Sequence, residues 1–328
     1  MSCPVCLSPS TAPALTGTDI LFETTSRVFK LDSCAACHCL FLNPAPDTEE
    51  IAGYYPENYW WNASRPSLLK AFERIYRRLA LHDHIAFITA GAARMGNAPV
   101  RILDVGCGSA TLLGILKTRG FDVVGVDTSS EASRVARETY GIHVIVGSLD
   151  QAGLADESLD IVTLFHVMEH VTNPRDVLAE AHRLLRQSGS MILQVPNIDS
   201  WQFRWFGAQW YGLDIPRHVI DYSLQAIVGL VESAGFKVVR CRQFNLRDNA
   251  PALISSLFPA LDPISRPIRL RRRNRKEPAI VSWCKHLVYF GLVLCAYPVT
   301  MLEAAFGHGA TVMIEARKEQ ASGNVESR

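Results

Sequence analysis

Three groups of residues have the types and spacing to do chemistry. Two Cys-x-x-Cys pairs, Cys3/Cys6 and Cys34/Cys37, lie near the amino terminus. Each such turn presents two thiolates toward one point, and two turns together make a closed tetrahedral set suited to structural zinc. A closed set leaves no position for a substrate, so its expected contribution is folding energy. His38 and Cys39 stand beside it as spare ligands, and the gap from Cys6 to Cys34 exceeds the usual ribbon spacing. Reduced core cysteines and a redox pair are the competing readings. The second group is Asp104-Val-Gly106-Cys107-Gly108 with Gly125-Val-Asp127 downstream. Glycines at 106 and 108 let the backbone turn tightly and approach a ligand without a Cβ clash, and Asp127 can accept hydrogen bonds from both hydroxyls of a ribose. A dinucleotide fingerprint would want a third glycine at 111, where this chain has Thr, and does not need the acid at 104. The third group is a loop through Trp201, Phe203, Trp205, Phe206, Trp210 and Tyr211 to Pro216-Arg217-His218. Aromatic faces stack on sugar rings and apolar groups, so this loop suits a lid or acceptor platform; a lid packed on its own sheet is the alternative.

The elements that must position these residues alternate. Strands are expected over 100–105, 121–126, 142–146, 161–165 and 191–195, with helices over 110–118, 131–140 and about 174–186. A helix over 224–234 and strands over 235–241 and 309–317 follow. Such alternation implies an α/β fold with a parallel, doubly wound sheet, because a parallel return needs a crossover. Ligand then belongs at the carboxyl ends of the strands. Ahead of the sheet, Tyr54, Tyr55, Tyr59, Trp60 and Trp61 suit packing between domains or, less directly, a ligand wall, and 66–94 has helical apolar spacing.

Composition adds limits. Lys+Arg 33 against Asp+Glu 32 gives a formal charge of +1 over 328 residues, so no global attraction to nucleic acid or an anionic surface exists and any such attraction must be local. The first residues carry no basic n-region or apolar h-region, so a reducing cytoplasm is expected, with the nine cysteines as thiols or metal ligands. Charge is nevertheless concentrated: Arg266, Arg269, Arg271, Arg272, Arg273, Arg275 and Lys276 precede an uncharged stretch over 287–302. That stretch falls short of the roughly 20 residues a span needs, and Pro298 interrupts it. An in-plane or re-entrant apolar hairpin with the basic cluster at the headgroups is the expectation, which would attach 266–306 to the inner face of a membrane. A span, or a core or dimer helix beside a solvated basic loop, are the alternatives. No aromatic residue is interleaved with the basic run, which argues against nucleic acid.

The segment Ile102 to Gly108, together with Asp127, Asp156-Glu-Ser-Leu-Asp160-Ile-Val and His166-Val-Met-Glu-His170, resembles the class I S-adenosylmethionine-dependent methyltransferases over roughly 98–245. The resemblance implies a Rossmann-like seven-stranded sheet whose last strand pairs antiparallel beside the fifth, and S-adenosyl-L-methionine as cofactor. Asp104, Gly106 and Gly108 would hold its methionine end, with Cys107 in the same turn, Asp127 would hold the ribose, and His166 would sit beside the sulfonium. The family's third strand usually ends in Gly-Asp; this chain has Gly147-Ser148, so Ser148 or Asp150 takes the adenine position. The whole arrangement, with an amino-terminal four-cysteine, zinc-ribbon-like module holding structural Zn2+ and a carboxyl-terminal apolar helical insertion, is similar to bacterial methyltransferases acting on sugars or on glycan and lipid intermediates. It implies O-methylation of a small or lipid-linked glycan acceptor, with His218 as leading general base and His170 as second. An RNA methyltransferase using the zinc module to hold nucleic acid, and a non-catalytic cofactor-binding protein, are the other readings. The expected division is a zinc-ribbon-like module at 1–45, a helical connector at 46–97, the methyltransferase domain at 98–245, the insertion at 246–308, the last strand at 309–318 and a disordered tail at 319–328.

Overall fold

The computed structural model describes residues 2–56, 80–96 and 99–319. Tyr59, Trp60, Trp61, the first half of the helix expected over 66–94 and nearly all of the tail lie outside them. At the amino terminus β1 (Thr11–Gly17) pairs antiparallel with β2 (Phe29–Cys34), and β2 with β3 (Leu40–Leu42). Helix α1 (Thr48–Gly53) follows, its first turn capped by the Asp47 carboxylate, which accepts from Glu50 N at 2.8 Å. Helix α2 (His82–Ala92) lies in the described part of the helix expected over 66–94 and buries Ile85, Phe87 and Ile88.

The large sheet is built from β4 (Arg101–Val105), α3 (Thr111–Lys117), β5 (Asp122–Asp127), α4 (Ser130–Tyr140), β6 (Val144–Val146), β7 (Leu159–Phe165), α5 (Pro174–Leu184) and β8 (Leu185–Pro196). After α6 (Trp201–Phe206), β9 (Ile220–Asp221) and α7 (Leu224–Ser233), strand β10 (Phe236–Arg242) extends it. Helices α8 (Asn249–Leu257), α9 (Ser265–Arg272) and α10 (Ala279–Ala305) form the insertion before β11 (Thr311–Lys318). The strand order is β10-β11-β8-β7-β4-β5-β6, with all strands running in one direction except β11, which lies antiparallel between β8 and β10. Ile102, Leu103, Ile161, Val162 and Leu164 expose no surface, as expected of strands covered on both faces. The chain runs outward from β4 through β5 to β6, then returns to β7 on the other side. The crevice between β4 and β7 is therefore the topological switch point, where a ligand is expected.

The amino-terminal sheet is not free-standing. Strand β9 adds to it by pairing with β3, Leu40 opposite Asp221 and Phe41 opposite Ile220. One hydrophobic core runs from Cys3, Phe29 and Leu31 through Trp210 and Tyr222 to Leu103 and Leu193.

One expectation about the insertion is corrected. In place of an apolar hairpin there is one continuous 27-residue helix, α10, which passes through Pro298. Proline there forfeits a single backbone hydrogen bond, and packing of the inner face against α8 carries the helix across it. Four of the seven basic residues of the run also make contacts within the protein. Arg266 is buried against Glu277, Arg269 donates to the Leu21 carbonyl at 2.8 Å, Arg272 donates to the Glu23 carbonyl at 2.9 Å, and Arg273 pairs with the Glu23 carboxylate. The loop between β1 and β2 offers carbonyls and an acid, and the guanidinium fork is shaped to take both. Arg271, Arg275 and Lys276 remain exposed.

Candidate active site

At the switch point β4 ends in the Gly106–Ala110 turn. Gly106 has φ +66 and Gly108 φ +51, and Gly106 N donates to Val126 O at 2.8 Å. A Cβ on Gly106 would lie 2.8 Å from Val167 Cγ2, so the turn passes the loop after β7 only because it has no side chain. Sheet register sets Asp104 opposite Thr163, whose hydroxyl donates to Asp104 Oδ1 at 2.6 Å. Burial nevertheless pushes this carboxyl up to about 7. Asp127 accepts from Gly108 N at 2.7 Å through Oδ2 and from Ser129 N at 2.8 Å through Oδ1, which fixes its plane at the end of β5. Burial raises its pKa as well. The Cys107 side chain turns inward onto Gly125, where a Cβ would meet its sulfur at 2.6 Å, and burial pushes the thiol up. Ser148 is exposed at the end of β6, its backbone N–H donating to Gln151 Oε1 at 3.3 Å. A turn with glycines at 106 and 108 between two held carboxyl groups fits a ligand with an ammonium-bearing end and a ribose.

His166 stands opposite with φ +56, its Nδ1 3.1 Å from Glu169 Oε1 and its Nε2 3.4 Å from Asp248 Oδ2. Burial alone would depress its pKa, but Asp248 and Glu169 together raise it to about 9. His84 of α2 meets Phe165 edge-on at 4.4 Å; burial, with Arg247 adding, holds it at about 3 and therefore neutral. Gln194 Nε2 donates to Asp248 Oδ2 at 2.6 Å. Sequence reasoning missed His84, Gln194 and Asp248, which come from three separate elements and share no local motif.

The two candidate bases, widely separated in sequence, are adjacent. The His170 and His218 rings meet edge-to-face with centroids 4.7 Å apart. His170 Nδ1 lies 2.9 Å from the Arg217 carbonyl, which fixes Nδ1–H as donor and leaves Nε2 with its lone pair. His218 Nδ1 lies 3.5 Å from Asp221 Oδ1, an ion-pair distance too long for a good hydrogen bond. Burial works against His218 protonation, but Asp221 and Glu169 outweigh it and raise the pKa. Burial and the neighbouring His218 charge push His170 down to about 4, so at neutral pH the pair holds at most one proton. Glu169, His170 and His218 bring donor atoms within 4.8 Å of one another.

Arg217 holds this loop in place. Fully buried, it forks onto Asp19 at 2.7 and 3.1 Å, pairs with Asp214 at 2.6 Å, donates to the Tyr54 carbonyl at 2.9 Å and lies 4.6 Å over the Phe22 ring. The aromatic loop does not form one platform. Trp210 is core, 1% exposed, whereas Trp201 stacks on Phe306 at 5.6 Å and Trp205 faces outward.

In the amino-terminal module the Sγ atoms of Cys3, Cys6, Cys34 and Cys37 lie within 4.8 Å of one another, with Cys3 to Cys37 at 3.7 Å and Cys6 to Cys34 at 3.5 Å. A tetrahedron with ~2.3 Å metal–sulfur bonds has edges of about 3.8 Å, so the four thiols fit a zinc-sized ion. Cys39 approaches from one side, 3.4 Å from Cys3 and 3.5 Å from Cys37.

A family profile described as Methyltransferase domain matches residues 69–240. A ubiquinone biosynthesis O-methyltransferase of Pseudomonas aeruginosa is 30% identical over 137 residues, 39% of this chain and 59% of that protein. An uncharacterized 37.1 kDa protein in a transposon of Streptomyces fradiae is 35% identical over 208 residues, 56% of each chain. The chain thus spans a little over half the length of these curated relatives. Among solved structures, a SAM-dependent methyltransferase from Archaeoglobus fulgidus is 18% identical with a TM-score of 0.47, covering 75% of this chain and 94% of that one.

Proposed function

Because the chain belongs to the methyltransferase-domain family, whose profile covers more than half of it, and is thereby an S-adenosylmethionine-dependent class I methyltransferase, we propose that it methylates a hydroxyl oxygen of a sugar-containing or lipid-linked acceptor. The observation that carries this reading is the His170–His218 pair, backed by Asp221, on the loops beside the glycine turn. The name of the Pseudomonas aeruginosa relative, an O-methyltransferase, supports oxygen as the acceptor atom.

When bound, S-adenosylmethionine supplies an electrophilic methyl group on a sulfonium. Asp104, Gly106 and Gly108 would bind its methionine end, with the Cys107 backbone completing the turn, and Asp127 its ribose; Ser148 or Asp150 would take the adenine. His166 carries a positive charge between Asp248 and Glu169, so the trio is net negative and suits a cationic ligand. His218 Nε2 takes the hydroxyl proton as the oxygen attacks, and the Asp221 carboxyl, 3.5 Å from Nδ1, stabilises the imidazolium that forms through its charge. His170, held neutral, lets its neighbour accept that proton without like-charge repulsion. Cys3, Cys6, Cys34 and Cys37 would hold a structural Zn2+ that ties the first residues to the β2–β3 turn.

Incubation with methyl-labelled cofactor and a cell extract tests the reading. Label should enter a lipid or glycan fraction, depend on His218 and resist mild alkali, as an ether does. Label in RNA, or in an alkali-labile ester, would replace the acceptor class proposed.

A further inference from the structure

Helix α10 has one face that meets protein and one that meets none of the described residues. Tyr289, Val293, Ala296, Thr300 and Glu303 are buried at helical spacing. Several of these inner-face groups are polar: Tyr289 Oη lies 3.1 Å from Ser255 Oγ, Tyr297 Oη donates to the Leu246 carbonyl at 2.8 Å, and Gln202 Nε2 donates to Glu303 Oε2 at 2.9 Å. The outward face carries Ile280, Trp283, Leu287, Val288, Leu294 and Leu302, with Leu294 68% exposed, and no charge falls between 287 and 302. A surface helix normally presents polar residues there.

Breadth and charge identify what covers it. More than half of the 27 positions are exposed, a far wider face than the two-in-seven seam that a second helix fills. Aromatic residues stand at both ends, Trp283 at one, and at the other Phe306 stacked on Trp201, which lies 6.1 Å from Trp205. Cations flank the same ends. Arg271, Arg275 and Lys276 precede the helix and Arg204 adjoins Trp205, all exposed and without an ion-pair partner among the described residues. For a helix lying in the interface, apolar surface enters the acyl boundary while the aromatic rings and cations at its two ends rest at the depth of anionic headgroups.

We propose that the outward face of α10 docks the protein onto an anionic lipid bilayer, the helix lying in the interfacial plane with the folded domain as its polar side. At about 1.5 Å per residue the helix is long enough to cross. Crossing, however, would carry Glu303 and the Tyr289 and Tyr297 hydroxyls away from their partners into hydrocarbon, whereas lying in-plane keeps every one of these contacts. The proposal does not depend on the identity of the methyl acceptor.

Vesicle flotation of the full chain tests it. Vesicles of equal parts phosphatidylcholine and phosphatidylglycerol should carry the protein, and phosphatidylcholine alone should carry less. Arg275→Ala with Lys276→Ala should weaken partition to the anionic vesicles by roughly 10- to 30-fold. Leu287→Gln with Leu294→Gln should abolish flotation on both while the unfolding midpoint and the heat of cofactor binding stay unchanged. Failure of the wild type to float, or unaltered flotation of the leucine variant, would overturn the proposal. A dimer in light scattering that the leucine changes dissociate, without flotation, would assign the face to a second copy of the chain instead.

Discussion

Arg217→Ala probes the link between the amino-terminal module and the histidine pair. The side chain is fully buried, and its removal leaves the Asp19 and Asp214 carboxylates facing each other with no cation between them. Asp19 cannot swing away, because Phe22 N at 3.0 Å and Thr24 N at 2.8 Å hold its two oxygens. Breaking a buried pair on one side costs about 3–5 kcal/mol, and urea unfolding followed by tryptophan fluorescence at pH 7.5 should show a loss of that size. Burial alone would raise the Asp19 pKa, but Arg217 holds it below the ordinary value. The stability this carboxylate contributes is therefore present above its unfolded pKa and lost as pH falls through the folded one. In the variant the stranded carboxyls take up protons easily, so the deficit should shrink toward pH 4.5. Arg217→Lys restores the charge without the fork and should recover only part. A deficit under 1 kcal/mol at pH 7.5, or one identical at both pH values, would refute the reasoning.

Asp104, neutral in the fold up to about pH 7 but ionised in the unfolded chain above about 4, should make stability of the cofactor-free protein fall by about 1.4 kcal/mol per pH unit between those values. Asp104→Asn should remove that slope, and a parallel pH dependence in both proteins would contradict the burial argument. For His218→Ala, kcat/KM should drop by about 10²- to 10⁴-fold. The raised pKa of His218 places the acid limb of the wild-type profile above 6.5, whereas a limb near 4 would assign the base to His170. Metal analysis should find one zinc per chain that Cys34→Ser loses and Cys39→Ser keeps; equal loss in both would make Cys39 a ligand.

What the sequence disclosed is what lies close together along it. The glycine turn at 106–108, its acids at 104 and 127 and the two Cys-x-x-Cys turns are each short segments whose chemistry depends on neighbours in the chain, and each stands where expected. The parallel, doubly wound sheet also followed, because alternating strands and helices leave few topologies, whereas the antiparallel last strand came only with the family resemblance. Long-range pairing was not legible. Nothing near Arg269 or Arg272 indicates that their partners are carbonyls of the β1–β2 loop, and nothing near Ile220 signals a strand that completes the amino-terminal sheet. Pro298 reads locally as a break, yet packing of the α10 inner face overrides one missing hydrogen bond. Trp210 and Trp205 belong to the same aromatic loop, and only tertiary structure separates the core residue from the exposed one.

Cofactor binding in the crevice between β4 and β7 is the step on which every other assignment depends. Isothermal titration of the full chain with S-adenosylmethionine should give one site per chain in the wild type. Asp127→Ala, which removes the acceptor for both ribose hydroxyls and the anchor for Gly108 N, should weaken binding by about 3 kcal/mol, roughly 100-fold, from the loss of two hydrogen bonds to a charged group. A wild type that takes up no cofactor, or an Asp127→Ala variant that binds it with undiminished affinity, would contradict the assignment.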